Sequence, residues 1–117
     1  MIHKKSNEIN SIKVEQGTST FKQTLIAGEE APNFALRKFT IEPGGSMPLH
    51  TNTVEHEQYV LAGSAEIFIG GKTIQAEKDD VIYIPGGVEH YYKNNGSKPF
   101  QFLCIVPNKP DILKIKS

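Results

Sequence analysis

Turn-forming residues recur every eight to twelve positions along most of this sequence, and no interval between them shows a sustained helical period. The punctuation is Gly28, Pro43-Gly44-Gly45, Gly63, Gly70-Gly71, Pro85-Gly86-Gly87, the KNNGSKP stretch and Pro107. Between these marks lie short runs of β-formers: Phe21–Ala27, Phe34–Ile41, Gln58–Leu61, Ala65–Ile69, Lys72–Ala76, Val81–Ile84, His90–Lys93 and Phe100–Val106. Gly70 and Gly71 can both take positive φ without steric cost, so the flanking runs are predicted to form a tight hairpin. The pattern predicts an all-β sandwich or barrel of roughly eight to ten short strands.

A chain of 117 residues is the size of one domain, with roughly two thirds of its unfolded surface available for burial. The expected division is an arm over 1–18, a barrel over 19–107 and a tail over 108–117, with the arm allowed one short strand. Lys plus Arg number 13 and Asp plus Glu 13, which gives no electrostatic pull toward nucleic acid or anionic lipid. Neither partner is expected; a small molecule is. The lone Cys104 excludes an internal disulfide and suits a reducing cytoplasm. The N-terminal MIHKKSNEIN lacks the apolar run of a secretory signal, and no stretch reaches membrane-spanning length.

The chemistry concentrates between Gly44 and Gly63. His50 and Asn52 are two apart, so on a strand they share a face, and a turn through Thr53–Glu55 can return His56 beside them. His90 follows the Pro85-Gly86-Gly87 bend and supplies a third imidazole from a distant segment. Taken together, the three histidines point to a divalent metal site, since imidazole suits zinc, copper, iron and nickel and tolerates manganese. Asn52 leaves three readings open: a weak amide ligand, a partner for a metal-bound water, or a vacant position.

These two segments resemble the signature motifs of the cupin superfamily, small double-stranded β-helix (jelly-roll) barrels. Gly44, His50, Asn52, His56 and Gly63 fall at the places of the first motif, with Asn52 where a histidine is usual and His56 where many members have glutamate. Pro85, Gly87, His90 and Asn94 match the second, with Asp79 replacing its leading glycine. The resemblance extends from Ala31 through Pro107 and is closest to compact cupins with an all-histidine site. It implies inward-facing ligands near one end of a barrel, one divalent metal (manganese or iron by preference, otherwise nickel, copper or zinc) and commonly a homodimer. The family hosts dioxygenases, isomerases, decarboxylases, lyases and sugar-binding proteins, so the fold alone names no reaction.

Further residues are candidates for the pocket. Gln58 shares the phase of His56 and could orient a ligand or a bound water, whereas Glu55 and Glu57 should face solvent. Arg37, in phase with Phe39 and Ile41, either binds an anionic substrate or reaches for the surface. Tyr92 lies two beyond His90, as a hydroxyl in the pocket or a core ring. Phe102 and Cys104 share one face of the last long strand, and the resemblance turns that face toward the pocket; Cys104 reads as a small buried hydrophobe before a reactive thiol. His3 reads as a solvated terminal residue. The expected function is a metal-dependent oxidoreductase, dioxygenase-like, with a non-catalytic small-ligand protein or a metal-dependent isomerase or lyase as alternatives. No general base is evident.

Overall fold

The computed structural model describes residues 1–116. A single 3-10 turn, Ser6–Glu8, precedes ten strands: β1 Ile12–Lys13, β2 Thr18–Ile26, β3 Phe34–Asn52, β4 His56–Ala62, β5 Ser64–Ile69, β6 Lys72–Glu77, β7 Val81–Ile84, β8 His90–Lys93, β9 Phe100–Pro107 and β10 Leu113–Ile115. The class is all-β, and the strands form one curled antiparallel sheet in the order β6-β5-β8-β3-β9-β4-β7. Strands β2 and β10 add to β3, and β1 adds to β2. The arm holds the short strand that its apolar residues allow.

Strand β3 departs from expectation. Pro43-Gly44-Gly45 was predicted to end a strand and instead lies inside one. The first half of β3 pairs with β9 from Phe34 to Ile41, and the second half pairs with β8 from Ser46 to His50. Gly44 has φ of +82° at the corner between them. A chain that bends there hands one strand from one side of the barrel to the other, a task that suits the same residues as a reversal. Asn94 fastens the corner: its backbone bonds Gly44 and Gly45, and its Nδ2 donates to the carbonyls of Ile41 and Lys98.

The expected tail over 108–117 contains a strand. β10 pairs with β3 at Asn52, Thr51 and His50, beside the candidate ligands. The hairpin at Gly70-Gly71 forms as predicted, with φ of +55° and +90°. Asp79, which stands in place of a motif glycine, keeps a positive φ of +73°.

Strand register builds the interior in rows. Thr24, Arg37, Cys104 and Gln58 stand side by side across β2, β3, β9 and β4. Lys22, Phe39, Phe102 and Val60 make the next row, and Thr20, Ile41 and Phe100 the one after. Residues two apart share a face, so all three rows look inward. Thr20, Ile41 and Phe100 are fully buried and close the far end. The rows nearer the histidines carry polar groups.

Candidate metal centre

The register of β3 against β8 sets His50 opposite His90, and their ring centroids lie 4.1 Å apart. His56, at the first position of β4, brings its ring to 5.8 Å from His90. All three imidazoles are buried. The loop 53–55 that returns the chain from β3 to β4 is held by Asp111, whose Oδ1 accepts from Thr53 N at 2.9 Å and Thr53 Oγ1 at 3.2 Å. Gly87 N donates to Asn52 O at 2.8 Å, which ties the His90 loop to the same corner.

Hydrogen bonding fixes which ring nitrogens are free. His50 Nδ1 lies 2.7 Å from Pro48 O, and His90 Nδ1 lies 2.9 Å from Val88 O. A carbonyl only accepts, so both Nδ1 atoms carry the proton and both Nε2 atoms present a lone pair. His90 Nε2 and both nitrogens of His56 are buried without a hydrogen-bond partner, as are Asn52 Oδ1 and Gln58 Oε1. Burial holds the rings neutral. Desolvation, joined by the charge of Arg37, lowers His56 to about 3; desolvation also lowers His90 to about 4 and His50 below its usual value.

Neutral imidazoles with unengaged lone pairs are the form that binds divalent ions, and a backbone carbonyl on Nδ1 is the usual support of such a ligand. Unpartnered buried acceptors otherwise cost about 1–3 kcal/mol each. No three His, Cys, Asp or Glu side chains among the described residues are gathered on one point as a ready ligand set. The fit to an ion lies in the donor chemistry, with Asn52 Oδ1 as the added oxygen.

A cavity of about 240 Å³ opens beside the rings. His50, Asn52 and His56 are on its wall, and His90 stands behind them. Gln58, Arg37, Phe39, Tyr92, Phe102 and Cys104 line it too. Three of these form an aromatic wall: Phe102 stacks on Phe39 at 5.3 Å and on Tyr92 at 5.2 Å. Gln58 Nε2 donates to Tyr92 Oη at 2.7 Å. Burial pushes the Tyr92 phenol well above its ordinary range, so it stays protonated. Arg37 is half-buried on the wall, its Cζ 5.1 Å over the Phe39 ring and its Nη2 donating to Cys104 Sγ at 3.3 Å. Glu55, Glu57 and His3 are exposed.

Sequence reasoning missed Asp111 and Lys22, both on the cavity wall. The signal for Asp111 was present in the alternation of Leu113 and Ile115 with lysines, which marks a strand rather than a tail. Lys22 shares the phase of Thr20 and Thr24 on β2, but that strand carries polar residues on both faces and so hides which one looks inward.

Residues 37–106 match the family described as Cupin domain. The chain is a cupin. Among similar proteins, mannose-1-phosphate guanylyltransferase of Escherichia coli is 32% identical over 93 residues, which are 74% of this chain and 20% of that one. Oxalate decarboxylase of Bacillus subtilis (strain 168) is 35% identical over 72 residues, 56% of this cupin and 19% of the decarboxylase. The cupin therefore spans about a fifth of the curated relatives it matches here. Among solved structures, the polyketide cyclase RemF from Streptomyces resistomycificus superposes with a TM-score of 0.89 at 27% identity, covering 100% of this chain and 87% of the cyclase.

Proposed function

We propose that this cupin is a metal-dependent oxidoreductase, dioxygenase-like, acting on a small organic substrate inside the barrel. His50, His56 and His90 hold one divalent ion, manganese or iron by preference and nickel, copper or zinc otherwise, with Asn52 Oδ1 as a weak fourth donor. The observation that carries the reading is the set of buried, neutral imidazoles with unengaged nitrogens against a cavity that has one stacked aromatic wall. When bound, such an ion supplies a Lewis acid with positions open to a chelating substrate and, for iron or manganese, a redox couple.

The protein's own groups do the rest. The carbonyls of Pro48 and Val88 hold the rings of His50 and His90 in one tautomer. Phe39, Phe102 and Tyr92 keep water out and offer a flat surface to a planar substrate. Tyr92 Oη accepts from Gln58 and keeps its own proton available for a substrate oxygen.

The full-length likeness to a polyketide cyclase favours a second reading, ring closure or isomerisation assisted by the ion without redox. Oxygen uptake separates the two. Protein loaded with iron(II), manganese(II) or zinc(II) is mixed with acetylacetone or catechol in an oxygen electrode. Uptake that needs a redox metal and disappears in His50→Ala supports the oxidoreductase. Anaerobic turnover with zinc supports the second reading, and binding without turnover under any metal makes the chain a small-ligand binding protein.

A homodimer belongs to the same reading. Val81 (75% exposed) and Tyr83 (53%) stand on the outer face of β7, next to Tyr59 on β4, and leave apolar area for a second copy. Light scattering at micromolar concentration should give twice 13.0 kDa. Among the described residues, no helix is long and apolar enough to cross a membrane. A cytoplasmic location is proposed on the single free thiol, Cys104.

A further inference from the structure

Two cations share the cavity without an anion to answer them. Lys22 and Arg37 stand on adjacent strands in adjacent interior rows, with Lys22 opposite Phe39 and Arg37 opposite Thr24. Among the described residues, the salt bridge that forms, Lys4–Glu30, involves neither. Arg37 Nη2 reaches only the thiol of Cys104, and its Nε is buried with no partner. The carboxylate on the cavity wall, Asp111, is occupied by Asn52, Thr53 and Val54. The ammonium of Lys22 is held below its ordinary value first by burial and then by the neighbouring guanidinium. Setting like charges side by side in a part-buried wall is unfavourable unless a counter-charge arrives.

Both cations also line a wider groove of about 690 Å³ on the outside, where Lys109 adds a third positive group and Glu29 a negative one. They therefore stand at the passage between the groove and the interior, where an entering anion meets them first. By strand spacing, Arg37 on β3 is about 10 Å from β4, the strand that starts with His56, with β9 between.

We propose that Arg37 and Lys22 form an anion subsite that takes the carboxylate of a small planar acid, its flat body lying on Phe39 and Phe102 and its other end directed to the imidazoles. Two features select carboxylate over phosphate. The donors left over, one shared guanidinium and one ammonium, suit two acceptor oxygens rather than three. The aromatic pair gives a planar acid apolar contact that an inorganic anion cannot use. The inference names the substrate class of the cavity assigned above, but it needs only the cavity and not the ion.

Calorimetry on metal-free protein, with chelator present at pH 7, tests it with benzoate, benzamide and inorganic phosphate. Benzoate should bind wild type about ten-fold or more tighter than benzamide, and R37Q and K22Q should each remove about ten-fold of that affinity while leaving benzamide unchanged. Arg37→Lys, which restores the charge, should recover most of the loss. K78Q, at an exposed lysine on neither cavity wall, should keep benzoate binding within about two-fold, and because chelator keeps the protein metal-free a failed metal reading leaves this result standing. Benzoate no tighter than benzamide, affinity unchanged in both R37Q and K22Q, or an equal loss in K78Q would overturn the subsite. Phosphate tighter than benzoate would overturn the carboxylate. Circular dichroism of each variant confirms the fold, and K22Q, at a half-buried position, serves if R37Q does not fold.

Discussion

Asn52 donates its side-chain amide to Asp111 Oδ2 at 3.1 Å, and this bond decides which end of the amide faces the histidines. A carboxylate only accepts, so the NH2 must point at Asp111 and Oδ1 must point away, where it is buried and unpartnered. The same carboxylate pins Thr53 and Val54, the start of the loop that delivers His56. Asp111 thus positions two of the four candidate ligands from the C-terminal segment. Replacing it with Ala should weaken metal binding about 10- to 100-fold, the usual effect of removing a support behind a ligand. Competition against a fluorescent zinc chelator measures this, and unchanged affinity would mean that Asn52 and His56 are held by other means.

The buried imidazoles tie stability to acid. In the unfolded chain they ionise near 6.5, whereas in the folded chain His56 is lowered to about 3 and His90 to about 4. Between those values the unfolded state binds more protons, so stability falls as pH drops from about 6.5 toward about 4 and is level above. Urea midpoints of the metal-free protein should decline through that window. In a His56→Gln, His90→Gln double variant the decline should shrink, leaving the contributions of His50 and of the carboxylates. Equal slopes in the two proteins would show that these rings are not buried neutral.

Gly86 is a site of close approach rather than of unusual backbone. A β-carbon there would stand 2.6 Å from the carbonyl oxygen of Thr53. Gly86→Ala must push the 53–55 loop away from the His90 loop, at a cost of about 1–3 kcal/mol. Because Thr53 lies between Asn52 and His56, metal affinity should fall along with stability. Gly71→Ala, where a β-carbon meets nothing within 4 Å but φ is +90°, should lose stability without touching metal affinity. Thermal melts and metal titrations of both variants separate the two effects.

Much of this arrangement could be read from the sequence because its signals are local. Gly70-Gly71 required a hairpin, and alternation put Phe102 and Cys104 on one face of β9, which the cupin resemblance turned inward, where both are buried. His50 and Asn52 share a face for the same reason. What the sequence hid depends on tertiary pairing. Pro43-Gly44-Gly45 serves a strand that bends as well as one that ends, and only the change of partner from β9 to β8 tells them apart. The ILKIK segment is short and lysine-rich, and it becomes a strand because the edge of β3 at His50–Asn52 is open to receive it. Asp111 acquires its role from that pairing, across 59 residues from Asn52. Lys22 and Arg37 were separable from surface lysines and arginines only once register put them in neighbouring rows.

The place where the metal motif is broken gives the sharpest test. Asn52→His would exchange a weak amide oxygen for an imidazole, and metal affinity should rise. Asp111 makes a further demand on that outcome. A histidine at 52 would meet a carboxylate already placed to accept its ring N–H, the arrangement that orients a ligating imidazole and raises its basicity. The gain from Asn52→His should therefore be larger with Asp111 present than in an Asp111→Ala background, so the two changes should couple rather than add. The added ligand also fills a position that a substrate or oxygen would use, so any turnover should fall in the tighter-binding variant. Titration calorimetry on wild type, each single variant and the double variant measures the coupling. A gain of the same size in both backgrounds would show that Asp111 holds the loop but not the side chain at 52, and no gain in either would place Asn52 outside the ion's reach.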